Sequence, residues 1–87
     1  MNEPTKEPIT LMQLRRRLDV SQEEFAALLA DAFRRIGSDR KVTKKSVSDW
    51  ETGRHKPRFT PEETLEVCQI LQCTLNELAE ATKKTAD

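Results

Sequence analysis

Apolar residues recur along this chain at intervals of three and four, the spacing that lines one face of an α-helix, and no run alternates apolar and polar residues over strand length. Leu11, Leu14 and Leu18 place a first helix over about Thr10 to Asp19. Phe25, Leu28, Leu29, Ala32, Phe33 and Ile36 keep helical register up to Gly37, which suits a helix stop. They predict a second helix of about four turns, opened by Ser21 with Glu24 three residues on as a capping box. A short third helix is expected between Thr43, whose hydroxyl can cap the first turn, and Gly53, which can take the left-handed conformation that ends a helix. Thr60-Pro61-Glu62-Glu63 supplies cap, N1 proline and reciprocal acid for a fourth. Its Leu65, Val67, Cys68, Ile70 and Leu71 cover more than half its circumference, which predicts the central core helix. A short fifth runs from Thr74 through Leu75, Leu78 and Ala79. Val42 and Phe59 are expected to anchor the connections on either side of the third helix. The class predicted is all-α: one domain over residues 10–81, with residues 1–9 and 82–87 as loose polar tails.

The third helix has two incompatible faces. Val47, Trp50 and Glu51 share one; Lys44, Lys45, Ser48, Asp49 and Thr52 share the other. Lysines in a first turn oppose the positive end of the helix dipole, at a cost of roughly 0.3–1 kcal/mol each. Long donors there suit a DNA major groove, where base edges present acceptors and flanking phosphates favour positive charge. A solvated polar face explains this helix equally well when it is taken alone. Behind it, two charges fall in packed stripes: Arg15 among the leucines of the first helix and Glu51 beside Val47 and Trp50. Each needs a partner once buried, so a structural ion pair between Arg15 and Glu51 is predicted.

Composition changes the picture through the arrangement of charge. Fifteen basic and fifteen acidic side chains give a net charge of zero, which argues against a nucleic-acid partner. Yet residues 34–58 hold nine basic and three acidic side chains, against four and six in residues 1–33 and two and six in residues 59–87. Positive charge is thus gathered around the third helix, where a polyanion would feel the local field. Arg34, Arg35, Arg40 and Lys41 surround the connection before it, and Arg54, Lys56 and Arg58 follow it along a stretch held extended by Pro57. Together with Thr43 at the helix start and Gln22 at the first turn of the second helix, they form a candidate phosphate-contacting rim.

Other chemistries find little support. Cys68 and Cys73 lie five apart and His55 is the single histidine, so no zinc set is complete, no metal or cofactor is expected, and both cysteines read as small buried apolar residues. Without paired carboxylates, a nucleophile with its base, or a glycine-rich phosphate loop, an enzyme is not expected. There is no secretory signal, and the richest apolar run, Phe25 to Phe33, is interrupted by Asp31; no membrane association and a cytoplasmic location are expected.

Leu14-Arg15, Ser21-Gln22-Glu23-Glu24-Phe25-Ala26, Val47-Ser48-Asp49-Trp50-Glu51-Thr52-Gly53 with Pro57, and Leu71 with Leu75 to Leu78 together resemble the phage-repressor helix-turn-helix family, the Cro/cI or XRE-like type, over about residues 11 to 80. The resemblance implies a compact five-helix domain whose second and third helices form the DNA-binding motif, with the third in the major groove. It places Lys44, Lys45, Ser48 and Asp49 on the base-reading face, Lys44 or Lys45 toward guanine O6 and N7 and Asp49 toward cytosine N4. It makes Gln22 a phosphate clamp, brings Arg58 toward the minor groove, and matches Arg15 with Glu51 to an internal salt bridge. The chain departs from the pattern in its long second helix and the loop after it, an arrangement similar to POU-specific domains, which bears on docking angle. The function implied is a sequence-specific regulator of transcription on double-stranded DNA, most simply a repressor binding as a homodimer. The alternative is an antitoxin or adaptor that uses the same fold to hold a protein partner.

Overall fold

A computed structural model describes residues 9–83, and most of both expected tails, residues 1–8 and 84–87, lies outside the described residues. Five helices and no strands form the described part: α1 (Leu11–Arg17), α2 (Gln22–Arg35), α3 (Lys44–Thr52), α4 (Pro61–Leu71) and α5 (Leu75–Lys83). All five open in the same way. A hydroxyl residue accepts from the backbone N–H three residues on, and the side chain there accepts from the backbone N–H of the first. The pairs are Thr10 with Gln13, Ser21 with Glu24, Thr43 with Ser46, Thr60 with Glu63, and Thr74 with Glu77. Two amides that a helix start leaves unsatisfied are thereby paired locally each time. α3 ends at Gly53 with φ 80°; space is open where a Cβ would stand, so the left-handed backbone is what favours glycine there.

Packing converges on α2. Phe25, Leu29 and Phe33 are fully buried along it, facing Leu14 of α1, Val47 of α3 and Val67 and Leu71 of α4. The expectation that the fourth helix forms the centre is therefore corrected. Leu65 is 59% exposed because it lies two residues, about 200° of helix turn, from Val67, and only the Val67–Leu71 stripe faces inward. Leu28 at 44% and Leu75 at 59% are likewise more exposed than their apolar character suggests.

Two ends also differ from expectation. α1 stops at Arg17 because Asp19 turns left-handed at φ 60°. α5 runs on through Thr82 and Lys83, residues the sequence assigned to a tail, and the Thr82 hydroxyl donates to the Leu78 carbonyl at 2.9 Å. A polar residue does not by itself end a helix, since a threonine hydroxyl can bond back to the carbonyl four residues before it.

The connections that deliver α3 are pinned. Val42 is buried immediately before it. After it, Pro57 is buried and Phe59 packs edge-on against Trp50 at 5.4 Å and Phe33 at 5.9 Å between ring centroids.

Candidate nucleic-acid interface

The inward face of α3 fixes its outward one. Val47 is fully buried, and the Glu51 carboxylate, 1% exposed, sits at the α1–α3 contact. Arg15 donates to it twice, Nε to Oε2 at 2.6 Å and Nη2 to Oε1 at 3.1 Å, and gives Nη1 to the Val20 carbonyl at 2.8 Å. Gln22 Nε2 adds a donor to Oε1 at 2.8 Å. The hydrogen bond to Glu51 raises the Arg15 guanidinium above its ordinary value; burial works against this, and the charge of Glu51 adds to it. The network ties α1, α2 and α3 together. It also engages one Gln22 N–H, so the expected phosphate clamp is first a brace for the helix behind it.

On the outward face, Gln22, Lys44, Lys45, Ser48, Asp49, Thr52 and Arg54 line one open hollow. Lys44 is exposed, and the Lys45 side chain is 77% exposed. The capping boxes of α2, α4 and α5 close with Glu, but that of α3 closes with the neutral Ser46, and its first turn holds no acid. The start of α3 therefore keeps its positive end uncompensated, with two lysines beside it. Thr52, not singled out for binding by the sequence, donates its hydroxyl to the Ser48 carbonyl at 3.0 Å. Asp49 differs from its neighbours. Its side chain is 14% exposed, with Oδ2 3.2 Å from Lys45 Nζ and 3.9 Å from His55 Nε2, and Oδ1 4.0 Å from Arg54 Nε.

The rest of the expected rim divides. Arg34, Lys41 and Thr43 line an adjoining hollow before α3. Arg34 and Arg35 are exposed and lie 3.6 and 2.6 Å from the Asp31 carboxylate. Lys56 and Arg58 line a different groove, with Pro57, Phe59, Leu75 and Ala79.

Arg40 has a structural role that its place in the expected phosphate rim does not convey. Its Nε donates to Glu63 Oε1 at 3.0 Å, its Nη2 to the Arg58 carbonyl at 2.5 Å, and its guanidinium lies 5.9 Å from the Phe59 ring centroid. Through Nε and Nη2 it ties the α2–α3 connection to α4, while its side chain stays 33% exposed on the hollow it shares with Arg34, Lys41 and Thr43. Its partner Glu63, 3% exposed, has in the sequence only the place of a capping acid. The missed signal is its register: Glu63 stands four residues before Val67 and eight before Leu71, an acid in a packed stripe. Burial pushes the Glu63 carboxyl up, but hydrogen bonds from Arg40, the Thr60 amide and the Ser38 hydroxyl, with the charge of Arg40, outweigh that and hold it below its ordinary value.

Cys68 and Cys73 are half-buried rather than buried, and both are free thiols. Burial, with Cys68 alongside, pushes the Cys73 thiol up to about 11, so it stays protonated and a poor nucleophile. Among the described residues no group of three or more His, Cys, Asp or Glu could hold a metal ion, and no helix is long and apolar enough to cross a membrane.

A five-helix domain that braces one short helix from behind and turns lysines outward from its first turn defines a class, the DNA-binding helical domains. Residues 9–81 match the helix-turn-helix domain family, and the chain belongs to it. No curated protein and no solved structure matches the chain.

Proposed function

We propose that this protein is a sequence-specific regulator of transcription that reads the major groove of double-stranded DNA with α3, and that it is a cytoplasmic, non-catalytic repressor of the Cro/cI or XRE-like type acting by occupying a promoter. The observation that carries this reading is the contrast across α3. Its inner face is locked through Glu51, while Lys44, Lys45 and Ser48 stand outward in one hollow with Gln22 and Arg54. Lys44 and Lys45 reach guanine O6 and N7, and Ser48 serves as a smaller donor or acceptor. Arg54, Thr43, Lys41, Arg34 and Arg35 position the protein on phosphates, with the second N–H of the Gln22 amide, the one not given to Glu51, at the edge of that face. Lys56 and Arg58 contact flanking backbone, and two copies bind half-sites about one helical turn apart. Leu75, exposed on the groove beside Lys56 and Arg58, supports a small self-contact through α5.

The same groove favours the alternative, an antitoxin or adaptor that holds a protein partner on its apolar floor. Mobility of random duplex DNA at low and moderate salt separates the two. Selection from random duplexes, followed by sequencing, is expected to return a motif with two-fold symmetry. A Lys44→Ala/Lys45→Ala variant should lose ~1–3 kcal/mol of affinity per lost base contact on that motif; unchanged binding refutes the assignment of α3.

A further inference from the structure

A carboxylate on a surface that meets DNA is repelled by every phosphate it approaches, yet the outward face of α3 carries Asp49, its side chain only 14% exposed where that of Lys45 is 77%. Three cationic or ionisable donors converge on it: Lys45 from one turn before, and Arg54 and His55 from beyond the helix end, at 3.2, 4.0 and 3.9 Å. The backbone reinforces this, because the Asp49 carbonyl accepts from the Arg54 and His55 amides at 2.8 and 3.3 Å, folding the segment after Gly53 back over the carboxylate. Lys44, one residue before Lys45, has no such acid within ion-pair distance among the described residues.

We propose that Asp49 is a positioning residue that sets the ratio of specific to non-specific DNA binding by serving Lys45 and Arg54 as an internal substitute for phosphate. This role rests on the DNA-reading assignment of α3 given above. On an arbitrary duplex, Lys45 exchanges one anionic oxygen for another, gains little, and leaves Asp49 facing the phosphate chain. Fewer condensed counterions are then released, so the sequence-independent part of binding is held down. On the preferred sequence Lys45 reaches the paired acceptors of a guanine edge, a two-point contact that one carboxylate oxygen does not match. Asp49 then acts through its cations and not as the acceptor from cytosine N4 that the family resemblance implies, since Lys45 is hydrogen-bonded to Oδ2 and Arg54 stands 4.0 Å from Oδ1 on a side chain only 14% exposed.

The test compares the full chain with Asp49→Asn and Asp49→Glu on a random-sequence duplex and on the selected motif, by fluorescence anisotropy over a range of salt. Asp49→Asn should tighten binding to the random duplex by about tenfold or more at low salt. It should also steepen the slope of log K against log salt by about one to two, at ~0.9 per added phosphate contact. Affinity for the motif should change by less, so the specificity ratio falls. Asp49→Glu, which keeps the charge, should retain the wild-type slope, and Lys45→Met added to Asp49→Asn should undo most of the gain on the random duplex. An unchanged slope and random-duplex affinity in Asp49→Asn overturns the role, as does a loss confined to motifs altered at one cytosine. If neither the wild type nor Asp49→Asn binds any duplex at low salt, the DNA-reading assignment itself is overturned and this role falls with it.

Discussion

Two arginine–glutamate pairs govern α3, one holding the helix and the other holding the chain that leads into it, and they differ in how far each has left water. In the first, both partners are enclosed: the side chains are 10% exposed for Arg15 and 1% for Glu51, and Gln22 adds a third donor. In the second the acid is enclosed at 4% but Arg40 remains 33% exposed, and Glu63 also accepts from Ser38 and from the Thr60 amide. An enclosed pair leaves an uncompensated charge when either member is removed, whereas a partly hydrated arginine can be lost while neutral donors still satisfy the acid. The tilt of α3 is thus more strictly determined than the path of the connection before it.

The largest effect is expected at the enclosed pair. Glu51→Ala strands a guanidinium on a residue only 8% exposed and should cost ~3–5 kcal/mol of stability, much of what a domain of this size has, measured from the urea midpoint. A double-mutant cycle on Arg15 and Glu51 should show strong coupling, and its absence would erase the distinction between the pairs. Arg40→Ala should cost less, about 1–3 kcal/mol, and leave the salt dependence of DNA binding near that of wild type, because Nε and Nη2 are already engaged by Glu63 and the Arg58 carbonyl. A flattened slope would restore Arg40 to the phosphate rim.

The smallest effect is the one confined to acid. The Glu63 carboxyl is held below its ordinary 4.5 by Arg40, the Thr60 amide and Ser38, which prevail over the opposing effect of burial. Its contribution to stability is therefore present in full above that value and fades as pH falls through the lowered folded value. Glu63→Gln should flatten stability against pH below about 4.5 and leave the shape above it unchanged, read by thermal melts across that range.

Helix starts were legible because each is written within four residues, and the pairing of Arg15 with Glu51 because each charge interrupts an apolar stripe whose register can be counted. Arg40 was not legible. It lies in a connection with no periodicity, and a loop arginine has the same appearance in sequence whether it meets solvent, phosphate or a buried acid. The fourth helix misled for another reason: apolar residues two apart point to opposite sides, and only the neighbour that covers one side decides which is core. Counting charge by segment likewise gathered Lys56 and Arg58 with Lys44 and Lys45, although a turn of chain puts the first two on the groove beside α5.

The hydroxyl pairs that open all five helices carry an evolutionary implication. Because Thr43 and Ser46 pair locally to mark the beginning of α3, the link from α2 can gain or lose residues ahead of Ser38 while the lysines keep their place in the first turn. Only the angle of delivery changes. Docking geometry and sequence preference can then drift independently, and a long connection is one setting of the first that leaves the second intact.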